Sequence, residues 1–182
     1  MKTALSADAA AALIPDGSVC LIGGFMGVGS PHRLIDAMVR RGVKNLTVIA
    51  NDTAMPGKGI GKLITAGAVR KVIASHIGLN PETQKKMISG ELEVELVPQG
   101  TLVERIRAGG VGLGGVLTAT GLGTLVEKGA QRRPIPGHRG FDSTRGPPAR
   151  RLNRIFQISG SFRRQSLCDV RRSADQQGGD PS

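Results

Sequence analysis

The sequence predicts an α/β fold: an open, mainly parallel sheet with helices on both faces. Three observations predict it. Short apolar runs alternate with helix-length amphipathic stretches through the first 110 or so residues, the pattern of strands joined by crossover helices. Glycine-rich or polar segments recur where those runs end, at 23–31, Asn51-Asp52, Ser75-His76-Ile77-Gly78, Pro98-Gln99-Gly100 and Thr118 to Thr124. Helix start and stop signals flank the amphipathic stretches at matching intervals. In open parallel sheets the ligand crevice lies outside the carboxyl ends of the strands, so these segments are expected to converge on one site.

Taken in order, Ser6 caps a first helix through Ala12-Leu13-Ile14, stopped by Pro15-Asp16-Gly17. Val19 to Ile22 reads as a buried strand that breaks into Gly23, Gly24, Phe25, Met26, Gly27, Val28 and Gly29. Glycines at a strand-to-helix junction permit positive φ and let a ligand approach the main chain without meeting a β-carbon. Ser30-Pro31 reads as an N-cap and a first-turn proline. Leu34, Ile35, Met38 and Val39 then share a helix face, with Arg40 and Arg41 in the last turn and Gly42 as the stop.

Leu46 to Ala50 reads as a second buried strand with a polar exit at Asn51-Asp52-Thr53, and Gly57 to Ile64 as a loop and short helix. Val69 to Ser75 is the third strand. Asn80-Pro81-Glu82 opens a helix that Gly90 ends. Glu91, Glu93 and Glu95 alternate with Leu92, Val94 and Leu96, which predicts a strand with one solvated face and argues against acid-base work by these carboxylates. Thr101-Leu-Val-Glu104 reads as a capping box for a helix closed by Gly109-Gly110.

Composition bounds the class. With 39% hydrophobic residues, no Trp and no Tyr, the core must be built from aliphatic side chains and alanine. No apolar run approaches the roughly 20 residues of a membrane span, so a soluble protein is expected. The first residues read as an amphipathic helix rather than a secretory signal. Cys20 and Cys168 form neither a disulfide framework nor a metal-ligand spacing, which fits a cytoplasmic location. The net charge of +11 is uneven: residues 1–130 hold 14 Lys and Arg against 10 Asp and Glu, and residues 131–182 hold 11 against 4. Every basic residue of that second segment is arginine.

Several motifs fail. Gly24, Gly27 and Gly29 are spaced G-x-x-G-x-G with no acid about twenty residues on, so this is not a dinucleotide fingerprint. Gly57-Lys58-Gly59-Ile60-Gly61-Lys62-Leu63 is a residue short of a phosphate-binding P-loop and has Leu63 in place of Ser or Thr. His32, His76 and His138 are scattered, so no metal site is expected; His76 is the one that could line the crevice. No nucleophile with a nearby base can be assembled from residues 1–130. The chain therefore either binds without catalysing or supplies half of a site completed by another chain.

Asp16-Gly17 through Gly23-Gly24-Phe25 and Gly29-x-Pro31, then Ile49-Ala50-Asn51-Asp52-Thr53, Ala74-Ser75-His76-Ile77-Gly78-Leu79-Asn80-Pro81, Glu91 to Arg107 and Thr120 to Thr124 together resemble the alpha subunit of the family I coenzyme A transferases, in order and spacing. The Ala-Ser-His-Ile-Gly and Gly-Gly-Val-Gly-Leu-Gly-Gly segments are most similar to acetate or butyrate–acetoacetate CoA-transferase alpha subunits. Cys20 departs from the aliphatic residue of the signature.

The resemblance implies an acyl-CoA:carboxylate CoA-transferase whose nucleophilic glutamate lies on the beta subunit, which explains the missing nucleophile. It implies no tightly bound cofactor, a coenzyme A thioester and a short-chain carboxylate as substrates, and the CoA-transferase beta subunit as partner. On this chain it implies Asn51 as oxyanion donor, with Gly23, Gly24, Phe25, Gly27, Gly29, Gln99 and Gly100 on the CoA and substrate side.

The resemblance covers residues 1–130, a truncated α/β domain of the alpha-subunit type. Residues 131–182 form an Arg- and Pro-rich tail unlike the family, for which a shifted reading frame in an arginine-rich genome is the favoured account, against a naturally divergent basic tail. The composition of this tail predicts disorder, with at most a short helix around Leu152 to Phe162. The sheet is expected to be incomplete, with an exposed edge. The rival reading is a non-catalytic binding protein whose arginine tail, with Phe141, Phe156 and Phe162, contacts nucleic acid.

Overall fold

A computed structural model describes residues 4–118, 120, 121 and 124, together with the backbone of 131–133 and 155–158. The described residues divide into two compact units, the first up to Leu96 and the second from Val97 on.

The first unit contains α1 (Ala7–Ala12), β1 (Val19–Leu21), α2 (His32–Arg41), β2 (Leu46–Asp52), α3 (Gly61–Thr65), β3 (Val69–His76), α4 (Pro81–Ile88) and β4 (Glu93–Leu96). The strands form one parallel sheet in the order β1-β2-β3-β4. Because the order always advances in one direction, right-handed crossovers return on the same side. Accordingly α2 packs against α1 and α3, and α3 against α4, in a single layer. Leu46, Val48, Val72 and Ala74 face that layer and join Ile35, Met38, Leu63 and Ile64 in the core. Each fully buried aliphatic side chain stabilises the fold by about 1.5–3 kcal/mol. Ile49 and Ile73 alternate with these residues and are also buried, so the middle of the opposite face is covered too.

Local signals explain most boundaries. The Ser6 hydroxyl accepts from the Ala9 N–H, and Gly42 closes α2 at φ +73°. Arg41 donates to the carbonyls of Ala11 and Ile14, tying the end of α1 to the last turn of α2. Ser30 does not cap α2. Its hydroxyl donates instead to the Gly23 carbonyl at 3.1 Å, and Pro31 takes the cap position. The alternating glutamates begin their strand at Glu93 rather than Glu91, whose carboxylate accepts from the Ser89 hydroxyl. Glu93 and Glu95 lie over Lys71 of the neighbouring strand. The hydrogen bond from Lys71 holds the Glu93 carboxyl below its usual range, and the same bond raises Lys71.

Asn80 is fully buried. Its Oδ1 accepts from the Thr83 N–H and caps α4, while its Nδ2 donates to the Thr53 carbonyl, both at 3.1 Å. One side chain thus joins the start of α4 to the exit of β2. Asn80→Ala is expected to lower the unfolding free energy by about 1–2 kcal/mol, the cost of a lost cap with a buried partner left unpaired. Urea denaturation measures it, and a midpoint equal to that of the unsubstituted chain would contradict the assignment.

β1 is an edge strand. Its backbone bonds to β2 through Ser18, Cys20 and Ile22, so Val19 and Leu21 turn their N–H groups outward, and Leu21 is exposed. Beside it, α1, β1 and α2 enclose an apolar groove of about 660 Å³ lined by Leu13, Ile14, Cys20, Leu34 and Met38. Burial there raises the Cys20 thiol above its ordinary value.

The second unit contains α5 (Gln99–Val111), β5 (Val116–Thr118), β6 (Gln131–Arg133) and β7 (Ile155–Ile158), with an antiparallel sheet in the order β5-β7-β6. Two local expectations fail in α5. The helix begins after Pro98, two residues before Thr101, and the Thr101 hydroxyl is buried with no hydrogen-bond partner among the described residues, so no capping box forms. Glu104 pairs with Arg107 instead. The helix also runs through Gly109 and Gly110 and stops at Gly112, φ +79°, where the Leu113 N–H closes onto the Ala108 carbonyl in a Schellman turn. Residues 155–158 form a strand, where the sequence reading allowed at most a short helix, as suits Ile-Phe-Gln-Ile. The rest of 152–162 lies outside the described residues, as does His138.

Candidate functional site

At the carboxyl ends of β1, β2 and β3 the structure brings three of the expected segments together. The glycine stretch leaves β1 as a tight hairpin, with Phe25 and Val28 exchanging both backbone hydrogen bonds at 2.9 Å. Its corner residues, Met26 and Gly27, have φ of 52° and 88°, the two positive values of a type I′ turn. For a non-glycine residue such a backbone costs about 1–2 kcal/mol. Gly24 and Gly29 also have positive φ. A β-carbon on Gly24 would sit 2.3 Å from the Ser30 hydroxyl, whereas one on Gly23 would meet nothing within 4 Å. The Gly23 main chain is thus open to an approaching ligand, as a binding loop requires. Phe25 and Val28 project from the tip with 60% and 77% exposure.

The β2 exit holds this hairpin. Asp52, buried at 4% exposure, accepts the Met26 N–H on both oxygens, at 3.0 and 3.2 Å. The Asn51 Nδ2 donates to the same carboxylate at 3.1 Å. On β3, the Ser75 hydroxyl donates to the Asn51 backbone carbonyl at 2.7 Å and lies 3.2 Å from its Oδ1. The Asn51 amide is therefore oriented from two strands, as a polarising donor must be.

The Gly57–Lys62 segment is engaged with the hairpin and with α2. Gly59 packs against Gly27, where an added β-carbon would come within 3.0 Å of the Gly27 Cα, and Lys62 pairs with Asp36, lowering the Asp36 carboxyl through that hydrogen bond. His76 is exposed with its ring over Gly78, and His32 is exposed in the first turn of α2. Among the described residues no three His, Cys, Asp or Glu side chains gather to hold a metal, and no helix is long and apolar enough to cross a membrane. The apolar groove beside β1 touches neither Asn51 nor Gly23 through Gly29. It follows the outer edge of β1, and the polar side chains in its lining, Asp16 and Ser18, are engaged by the Lys44 N–H and the Pro15 carbonyl.

Gln99 and Gly100 belong to the second unit, in the first turn of α5. Reasoning from sequence set Asn51-Asp52 and Ser75 among the converging segments and read Asn80 as a cap, but gave no role at the site to the Asp52, Ser75 or Asn80 side chain. Asn80 had a signal, its cap-proline pair, but its bond to Thr53 joins residues 27 apart and had none.

The coenzyme A transferase family profile matches residues 4–145. The chain belongs to the coenzyme A transferase family. It is 58% identical over 138 residues to the acetate CoA-transferase subunit alpha of Escherichia coli K12, covering 75% of this chain and 63% of that protein. It is 62% identical over 122 residues to the acetoacetyl-CoA:acetate/butyrate CoA transferase alpha subunit of Clostridium acetobutylicum, covering 67% and 56%. The chain therefore spans less than two thirds of the length of these relatives.

Solved structures share its fold. An acyl-CoA transferase from Escherichia coli O157:H7, in a thioester complex with CoA, superposes with a TM-score of 0.66 at 20% identity, covering 85% of this chain and 32% of that one. Glutaconate coenzyme A-transferase from Acidaminococcus fermentans does so with a TM-score of 0.66 at 16% identity, covering 87% and 53%.

Proposed function

We propose that this chain is the alpha subunit of a short-chain acyl-CoA:carboxylate CoA-transferase of the acetate, acetoacetate or butyrate class. The observation that carries the reading is the 58% and 62% identity to two alpha subunits of that class. The geometry supports a half-site. Asn51 supplies an amide donor to the thioester oxygen as it gains charge, and the Gly23-Gly24 main chain, open at Gly23, forms the close wall of the acyl-CoA pocket, with Phe25, Gly27 and Gly29 shaping the hairpin. Gln99 and Gly100 are proposed on the CoA and substrate side from the resemblance alone. The nucleophile is a glutamate of the beta subunit, which attacks the acyl-CoA carbonyl. CoA leaves as thiolate and then re-attacks the acyl–glutamyl anhydride, giving the glutamyl-CoA thioester and free carboxylate; the second carboxylate takes the CoA by the reverse steps.

Residues 1–130 are proposed as the domain of the alpha-subunit type and 131–182 as a frame-shifted extension. Sequencing the genomic locus and transcript tests the second point. The test of function is co-purification with a glutamate-bearing beta subunit, followed by an acetate/acetoacetyl-CoA exchange assay. A stable pair that exchanges CoA is the expected result. A chain that recruits no such partner, and binds nucleic acid in a salt-sensitive way instead, would overturn the reading.

A further inference from the structure

Asp52 ends β2 with its carboxylate inside the protein, at 4% exposure. Burying a carboxylate is costly unless donors surround it. Here three groups donate: the Met26 N–H, shared between both oxygens, the Ala54 N–H at 2.6 Å, and the Asn51 Nδ2. Two of these donors share a feature. Met26 and Ala54 are both non-glycine residues with left-handed backbone, at φ 52° and 53°. Such conformations persist where the surroundings impose them, and they cluster at working sites.

We propose that Asp52 is the positioning residue of the site, a single carboxylate that clamps the glycine hairpin and the β2 exit in left-handed backbone and so sets the Asn51 amide beside the Gly23-Gly24 wall. The clamp rests on geometry alone; its consequence for turnover rests on the transferase reading above. Ser75 holds the opposite end of the Asn51 side chain, so the amide is fixed between a buried anion and a hydroxyl. The anion also tells the two ends of the amide apart, because a carboxylate accepts and cannot donate, and so selects the N–H end.

The test has a part that needs no substitution. In the full chain, the Met26 and Ala54 amides should exchange with deuterium on the order of 10²-fold more slowly than the Gly27 amide, which has no acceptor among the described residues. Equal rates would overturn the clamp. Asp52→Ala removes both acceptor oxygens, so Met26 and Ala54 should lose their protection while Val48 and Val72 of the core strands keep theirs. Retained protection at Met26 would also overturn the clamp.

In the assembled enzyme, Asp52→Ala should lower kcat with acetoacetyl-CoA by at least about 10-fold while changing KM little, the split expected when an interaction made only in the transition state is lost. Lost protection with unchanged kcat would overturn the positioning role. An unsubstituted pair with no exchange activity would overturn the transferase reading and with it that role, while the amide rates still decide the clamp.

Discussion

Asn51→Ala is expected to lower turnover of the assembled transferase by about 10²–10³-fold, the usual cost of removing one donor to a developing oxyanion. Assembly should be retained. Asn51 lies at the carboxyl end of β2, half-buried, and its backbone carbonyl keeps its bond from Ser75 whatever the side chain. The substitution therefore removes a donor without breaking the ladder that places it. Steady-state exchange between acetate and acetoacetyl-CoA measures kcat, and sedimentation of the mixed subunits measures assembly. Unchanged turnover would remove Asn51 from the reaction. A loss confined to assembly would make it an interface residue.

The parallel sheet was legible because its strands are written as uninterrupted apolar runs. Leu46 to Ala50 and Val72 to Ala74 are buried on both faces, and no solvated face dilutes the pattern. Strand order is set by pairing across the sheet, and nothing local to α2, α3 or α4 encodes it. Helix ends divided in the same way. Asn80-Pro81 and Gly42 act through neighbours in sequence and were readable. Ser30 and Thr101 have the composition of caps, but a distant carbonyl claims the first, and Pro98 starts the helix ahead of the second. Gly109, Gly110 and Gly112 offer three equivalent stops to a local reading, and the closing turn at Leu113 selects the last.

The site shows the same limit. A glycine hairpin and an Asn-Asp pair at neighbouring strand ends could be read separately. Their connection is the Asp52–Met26 pair, 26 residues apart, and a carboxylate in a polar exit carries no sign that it will be buried. Its burial follows from the parallel register that sets Cys20 beside Val48 and Leu21 beside Ile49, bringing the β1 loop onto the β2 exit. The sequence showed which residue types were available for chemistry, and the register decided which of them met.

Gly24→Ala should be among the most destabilising single-methyl changes near the site, at about 2–4 kcal/mol. At φ +129° the backbone lies in a region essentially confined to glycine, which accounts for about 1–3 kcal/mol. The new methyl would also stand 2.3 Å from the Ser30 hydroxyl and 3.0 Å from the Val28 carbonyl, and crowding of this kind costs about 1–3 kcal/mol more, part of it relieved as Ser30 rotates. Rotation has its own consequence, because it strips the Gly23 carbonyl of its donor. Gly23→Ala is the contrast. Gly23 lacks positive φ and faces open space, so its stability should change by no more than about 0.5 kcal/mol. Its methyl would point into the space assigned to acyl-CoA, raising KM for acetoacetyl-CoA. Urea midpoints and KM measured on both variants separate the roles: stability lost at Gly24 with affinity lost at Gly23 is the expected pair, and equal, small effects on both would leave the hairpin a tight turn and nothing more.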